Sequence, residues 1–135
     1  MKAEFIVYGE PVAKSRPRFT KFGRTYTPEK TVNYENLIRI EYKQQCRGVF
    51  FNENILRMSV KAYLGIPKST SKKLRAEMEA MLHRPTKKPD VDNILKVVAD
   101  ALNEVAYHDD KQIVSASIEK YYSEQPRIEV LIEEI

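Results

Sequence analysis

The stretch PDVDNILKVVADALNEVAYHDD, residues 89–110, sets a helical hydrophobic period between two groups of acids. Ile94, Val97, Val98, Ala101, Leu102 and Val105 recur at helical spacing and predict one buried face. Asp90 and Asp92 stand before that period, Lys96 within it, and Asp109 and Asp110 after it. Pro89 biases Lys88 away from helix, so residues 86–89 are expected to run extended, with Asp92 or Asn93 capping the helix. If 88–92 is extended, Asp90 and Asp92 point the same way, because strand periodicity is two. Lys96, one helical turn beyond Asp92, then brings its ammonium over the same patch. A helix of about 14 residues is about 21 Å long, so Asp109 and Asp110 cannot sit at its far end and still meet Asp90. Ala106, Tyr107 and His108 must turn the chain back. A single site depends on that return.

Working outward, the flanks read as alternating strands and short helices. Residues 3–8 (AEFIVY) form a β-branched and aromatic run that stops at Gly9 and Pro11. Thr27-Pro28-Glu29 reads as a helix start with Thr27 as cap. Tyr34, Ile38, Tyr42 and Cys46, with Leu37 beside them, give a buried stripe ending near Gly48. Leu56, Met58, Val60, Ala62 and Leu64 alternate, predicting a strand over 55–64. Ser69-Thr70-Ser71 opens a short helix lined by Leu74, Met78 and Leu82, which Pro85 ends. Val114, Ala116 and Ile118 alternate in one strand and Ile128, Val130 and Ile132 in another, with 124–126 as the turn. The expected fold is α+β: a small mixed β-sheet flanked by helices, one domain over 1–135, in the order β-α-β-α-α-β-β.

Composition narrows the chemistry. The chain holds 135 residues, a hydrophobic content of 42% and a charged content of 31%, so a packed core rather than disorder is expected. Its one cysteine, Cys46, rules out an internal disulfide and Cys-based zinc sites, and His83 and His108 are too few for a His-rich metal site. No apolar run has signal-peptide or membrane-span length. The expected setting is cytoplasmic, with no membrane partner. Charge is segregated: residues 1–88 carry 19 Lys and Arg against 8 Asp and Glu, and residues 89–135 carry 4 against 11. A basic body around an acidic centre suits a metal-dependent enzyme acting on a phosphate polyanion.

The acids supply oxygen ligands only, which suits Mg²⁺ or Mn²⁺. Such an ion lowers the pKa of its water and offsets charge growing on a phosphoryl group, with Lys96 as a point charge beside it. Each acid alone reads equally well as a helix cap, a dipole partner or a turn residue. Asp100, four residues after Lys96, reads as its surface partner. The D-x-D, lysine and D-D set taken together, in a basic chain, favours a functional site. In the segment 11–28, Lys14, Arg16, Arg18, Lys21 and Arg24 place five bases in eleven residues with no acid among them. Interleaved with Phe19, Phe22 and Tyr26, they fit phosphate clamping and base stacking; the competing reading tucks Phe19 and Phe22 into the core. Lys87 and Lys88, directly before the acids, are expected to meet the same backbone. Lys72, Lys73 and Arg75 read as a solvated helix face.

These segments together resemble the RusA family of Holliday-junction resolvases, found in bacteria and their prophages. KSRPRF is similar to the family's basic N-terminal segment and YTPEKTVNYE to the helix entry after it. KPDVDNILKVVADALNEVAYHDDKQIV resembles its signature. The resemblance implies Mg²⁺-dependent cleavage of four-way DNA junctions by a homodimer. It carries the catalytic, metal-holding aspartates onto Asp90, Asp92 and Asp110 and a supporting lysine onto Lys96, leaving the part of Asp109 open. A twofold dimer matches the near-twofold symmetry of a junction that needs paired nicks. Two other readings compete. A non-catalytic, structure-selective DNA-binding protein of phage or prophage origin would use the acids as caps and turns. A nucleotide phosphohydrolase fits less well, since no glycine-rich loop exists and His108-Asp109 lacks further histidines.

Overall fold

The computed structural model describes residues 1–135. In chain order the elements are β1 (Lys2–Tyr8), β2 (Arg18–Phe19), β3 (Thr25–Tyr26), α1 (Glu29–Gln45), β4 (Leu56–Gly65), α2 (Lys72–Glu79), α3 (Val91–Ala101), a single 3₁₀ turn (Asp110–Gln112), β5 (Ile113–Ser123) and β6 (Arg127–Glu134). The α+β class and the expected element order hold, with one addition: the basic segment folds a small hairpin of two two-residue strands, β2–β3. Four strands form a mixed sheet in the order β1-β6-β4-β5. β6 is antiparallel to both neighbours, whereas β4 and β5 are parallel. A parallel pair needs a long crossover. Here α2 and α3 provide it, and this lays α3 beside the start of β5.

Alternation sets the core. Ala3, Phe5 and Val7, Leu56 to Leu64 at even positions, and Ile128, Val130 and Ile132 all turn inward and are buried. α1 adds Tyr34, Ile38, Tyr42 and Cys46, and α3 adds Ile94, Val97, Val98 and Ala101, making one contiguous cluster of 22 buried residues. Phe5 meets Tyr42 edge-to-face at 5.4 Å, a geometry that aromatic quadrupoles favour. Arg39 of α1 donates from Nε to the Ala101 carbonyl at 2.9 Å, satisfying an open end of α3. At the sheet's β1 edge, the Gln45 amide both donates to and accepts from the backbone of Ile6, acting as one extra ladder rung.

Several boundaries differ from expectation, each for a local reason. Pro28, not Thr27, occupies the cap of α1, and no side chain caps it; the Pro28 carbonyl takes the N–H groups of Thr31 and Val32. Leu37 flanks the stripe of α1 and is exposed. α2 stops at Glu79, six residues before Pro85. Met81 has φ +64°, and the Met81 and Leu82 N–H groups return to Met78 and Glu77, which closes the helix as a glycine would. Leu82 is thereby left 79% exposed. α3 is 11 residues long rather than about 14, because Glu104, at φ +65°, donates its N–H to the Tyr107 carbonyl. The expected return of the chain exists, and it begins at Asn103.

Candidate metal and DNA site

Helix α3 presents Asp92, Leu95, Lys96 and Ala99 along one wall of a cleft. Met58 of β4, Asp110, and Ile113 and Ala116 of β5 form the other. Asp92 and Lys96 share a face because four residues make about one turn. Tyr107, fully buried, fixes the return between α3 and the 3₁₀ turn, donating its hydroxyl to the Ala99 carbonyl at 2.7 Å. Burial, and then the nearby Asp110 and Asp100 charges, push its phenol well above the ordinary tyrosine range. That phenol is therefore a structural donor.

The fold brings Asp92, Lys96 and Asp110 to one cleft, but not Asp90. Asp90 itself caps α3, so Asp92 lies inside the first turn and the extended geometry ends before it. Asp92 lines the cleft from the first turn, while Asp90, at the extended cap, is not among its lining residues. Nowhere do three or more Asp, Glu, His or Cys side chains stand in a liganding group. The Asp90 cap makes no side-chain bond, and Asp92 lies in the first turn, where the helix dipole favours an acid.

Asp109 and Asp110 have separate tasks. Asp109 accepts from the Lys111 N–H at 2.8 Å, while the Gln112 side chain accepts the His108 and Asp109 N–H groups, both at 3.0 Å. This capping box is an ordinary structural use of Asp109, and the bond from Lys111 holds its carboxyl below the usual range. Asp110 behaves in the opposite way. Its N–H donates to Asn103 Oδ1 at 2.8 Å, and its carboxyl faces those of Asp109 and Asp100. Desolvation first, then those two neighbours, push its pKa up. A carboxyl so placed is favoured by a shared proton or by a cation.

Asp100 is not Lys96's partner. It pairs with Lys14 at 3.5 Å, and Lys14 Nζ also lies 3.2 and 3.3 Å from the two oxygens of buried Glu35. Lys96 is exposed at the cleft. Gln112, Asn103 and Glu35 were not singled out by sequence pattern. Of these only Gln112 had a local signal, three residues after Asp109 as in a capping box.

The donor chemistry fits a hard divalent ion. Mg²⁺ keeps most of its waters and needs only one or two protein carboxylates, together with phosphate oxygens. Asp92 and Asp110, on opposite walls, meet that requirement without a third acid already in place.

The basic segment stands apart from the core. Thr20 Oγ1 accepts the Phe22 and Arg24 N–H groups, and Gly23 at φ +81° completes the turn of the β2–β3 hairpin. Phe19 and Phe22 are 73% and 81% exposed, so they are not core residues. Arg16, Arg18, Lys21 and Arg24 are exposed with them, as are Lys87 and Lys88; the Lys87 ammonium lies 5.6 Å from the centre of the Tyr122 ring.

A family model described as endodeoxyribonuclease RusA matches residues 8–133. This chain belongs to the RusA family. It is also 42% identical over 137 residues to the uncharacterized protein YqaN of Bacillus subtilis strain 168, covering 98% of this chain and 96% of that protein. The RusA match spans the hairpin, both walls of the cleft and the 3₁₀ turn, which makes the nuclease class common to all of them. No helix is long and apolar enough to cross a membrane.

Proposed function

We propose that residues 1–135 form one endonuclease domain that cuts four-way DNA junctions, working as a homodimer that makes paired, symmetric nicks with Mg²⁺ or Mn²⁺. The observation that carries this reading is the cleft in which Asp92, Lys96 and Asp110 converge, within a RusA-family chain. Asp92 and Asp110 are the metal carboxylates. Asp90, at the cap of α3, is the third acid that the resemblance assigns. A bound ion supplies Lewis acidity and a water of lowered pKa. Lys96 presents its ammonium to the phosphoryl oxygen on which charge develops. An ion and a proton compete for the Asp110 carboxyl, so metal affinity falls as pH is lowered.

Arg16, Arg18, Lys21 and Arg24 grip backbone phosphates, Phe19 and Phe22 stack on the open bases of a branch point, and Lys87 and Lys88 hold the strand entering the cleft. A non-catalytic DNA-binding protein is the second reading. It is favoured by one observation, the absence of a ready three-acid group. One assay separates them: purified protein with a synthetic four-way junction or matched linear duplex, with and without Mg²⁺ or Mn²⁺. Symmetric nicks in the junction alone, only with metal, are expected. Tight junction binding with no product in either metal would establish the second reading.

A further inference from the structure

Tyrosines and Cys46 aside, only two polar or charged side chains are buried in this protein, Thr31 and Glu35, both on α1. Burying a carboxylate is costly unless it is paired, so Glu35 needs a reason to be there. Both side chains serve the root of the basic segment. Thr31 Oγ1 lies 3.5 Å from the Ala13 carbonyl, to which it donates, and accepts the Ser15 N–H at 3.4 Å. Glu35 holds the Lys14 ammonium through both of its oxygens. From the other side α3 completes the socket: the Asn93 carbonyl accepts the Lys14 N–H at 3.0 Å, and Asp100 takes the ammonium at 3.5 Å. Beyond Ser15 the segment is exposed up to the hairpin turn.

We propose that Glu35 is a positioning residue: with Asp100 it clamps Lys14 as an anchor, so that the basic hairpin leaves α1 and α3 at a fixed place beside the Asp92–Asp110 cleft. In this assignment Lys14 is not a phosphate contact, unlike Arg16, Arg18, Lys21 and Arg24. Its charge is already shared by two acids, and its side chain is only 18% exposed. An unanchored hairpin would lose more chain entropy on binding DNA. The inference rests on the nuclease reading only in taking a four-way junction as the probe.

The charge of Glu35 makes the test sharp. Removing an acid from a DNA-binding protein strengthens binding by simple electrostatics. The anchor demands the opposite. Glu35→Gln, measured without metal so that no cleavage intervenes, is expected to weaken junction binding about threefold through the added ordering cost. Trypsin cutting after Arg18, Lys21 or Arg24 should accelerate about fivefold through local opening. Lys14→Met tests the same contact from its exposed end: binding should weaken while the salt dependence of affinity keeps its slope, and the double variant should match either single one. Should Glu35→Gln fail to fold, Lys14→Met alone still decides the matter. A slope lowered by about one means that Lys14 neutralises a phosphate, and overturns the anchor. Unchanged or tighter junction binding by Glu35→Gln, with unchanged proteolysis, overturns it too. A wild-type protein that does not prefer junctions overturns the functional reading instead, and the trypsin rates continue to test the clamp.

Discussion

Asp110 shows in one residue why a functional carboxylate can be a liability to the fold. Its carboxyl meets those of Asp109 and Asp100, and desolvation followed by these contacts raises its pKa. A raised acid pKa means that the folded state holds the proton more tightly than the unfolded chain does. Stability is then greatest below the unfolded carboxylate value and is lost as pH rises toward the folded one. Asp110→Asn removes that ionisation and provides an amide donor toward its acidic neighbours. Without divalent metal, the variant is expected to melt about 1–3 °C above wild type near neutral pH. The gain should vanish below about pH 3, under the ordinary aspartate value, where the wild-type carboxyl is protonated in both states. Adding Mg²⁺ should raise the wild-type melting temperature and leave the variant's unchanged. Calorimetric scans across pH, with and without Mg²⁺, check all three. A variant less stable than wild type at neutral pH would show that Asp110 serves the fold rather than a cation. Asp92→Asn, whose carboxyl lacks these neighbours, should abolish cleavage while junction binding survives.

At the scale of elements, the site depends on how α3 ends and how β5 begins. Gln112 binds the two together: it accepts the His108 and Asp109 N–H groups and donates to the Asn52 and Asn54 carbonyls. Gln112→Ala leaves four backbone groups to water and should cost about 1–2 kcal/mol. Cleavage should fall about tenfold through misplacement of Asp110, with metal-free junction affinity unchanged; denaturant melts and single-turnover rates measure the two effects. The helices and strands that carry this turn were readable as periodic patterns. Tyr34 to Cys46 and Ile94 to Leu102 declare their buried faces at helical spacing, β6 alternates, and β4 alternates up to Ala62, where Tyr63 is buried as well. Their endings were not readable, because Met81 and Glu104 take positive φ where a glycine would have announced the turn. A shift of two residues in the start of α3 put Asp92 inside the helix and left Asp90 at its extended cap. The Lys14 clamp joins the segment before β2 to two helices far along the chain, and no local pattern encodes it. Strands of two residues, such as β2 and β3, are likewise too short to show a period.

The whole molecule keeps its charges apart, and that separation has a measurable consequence. Acids collect around the cleft, while the β2–β3 hairpin carries Arg18, Lys21 and Arg24, with Arg16 just before it, and no acid. DNA meeting a carboxylate-lined cleft is repelled unless cations intervene, so affinity must come from that hairpin and from Lys87 and Lys88. Each phosphate neutralised releases condensed counterions, giving a logarithmic salt dependence of about −0.9 per contact on duplex DNA. Replacing Arg16, Arg18, Lys21 and Arg24 together by alanine should therefore flatten the slope by about three to four while the fold persists, because all four side chains are exposed. Phe19→Ala with Phe22→Ala should leave the slope as it is, yet narrow the preference for a four-way junction over linear duplex, since stacking needs unpaired or distorted bases. Metal-free titrations of both DNAs at several salt concentrations separate the two effects. An unchanged slope in this quadruple variant would move the DNA path off the hairpin, and with it the account of how the strand reaches Asp92 and Asp110.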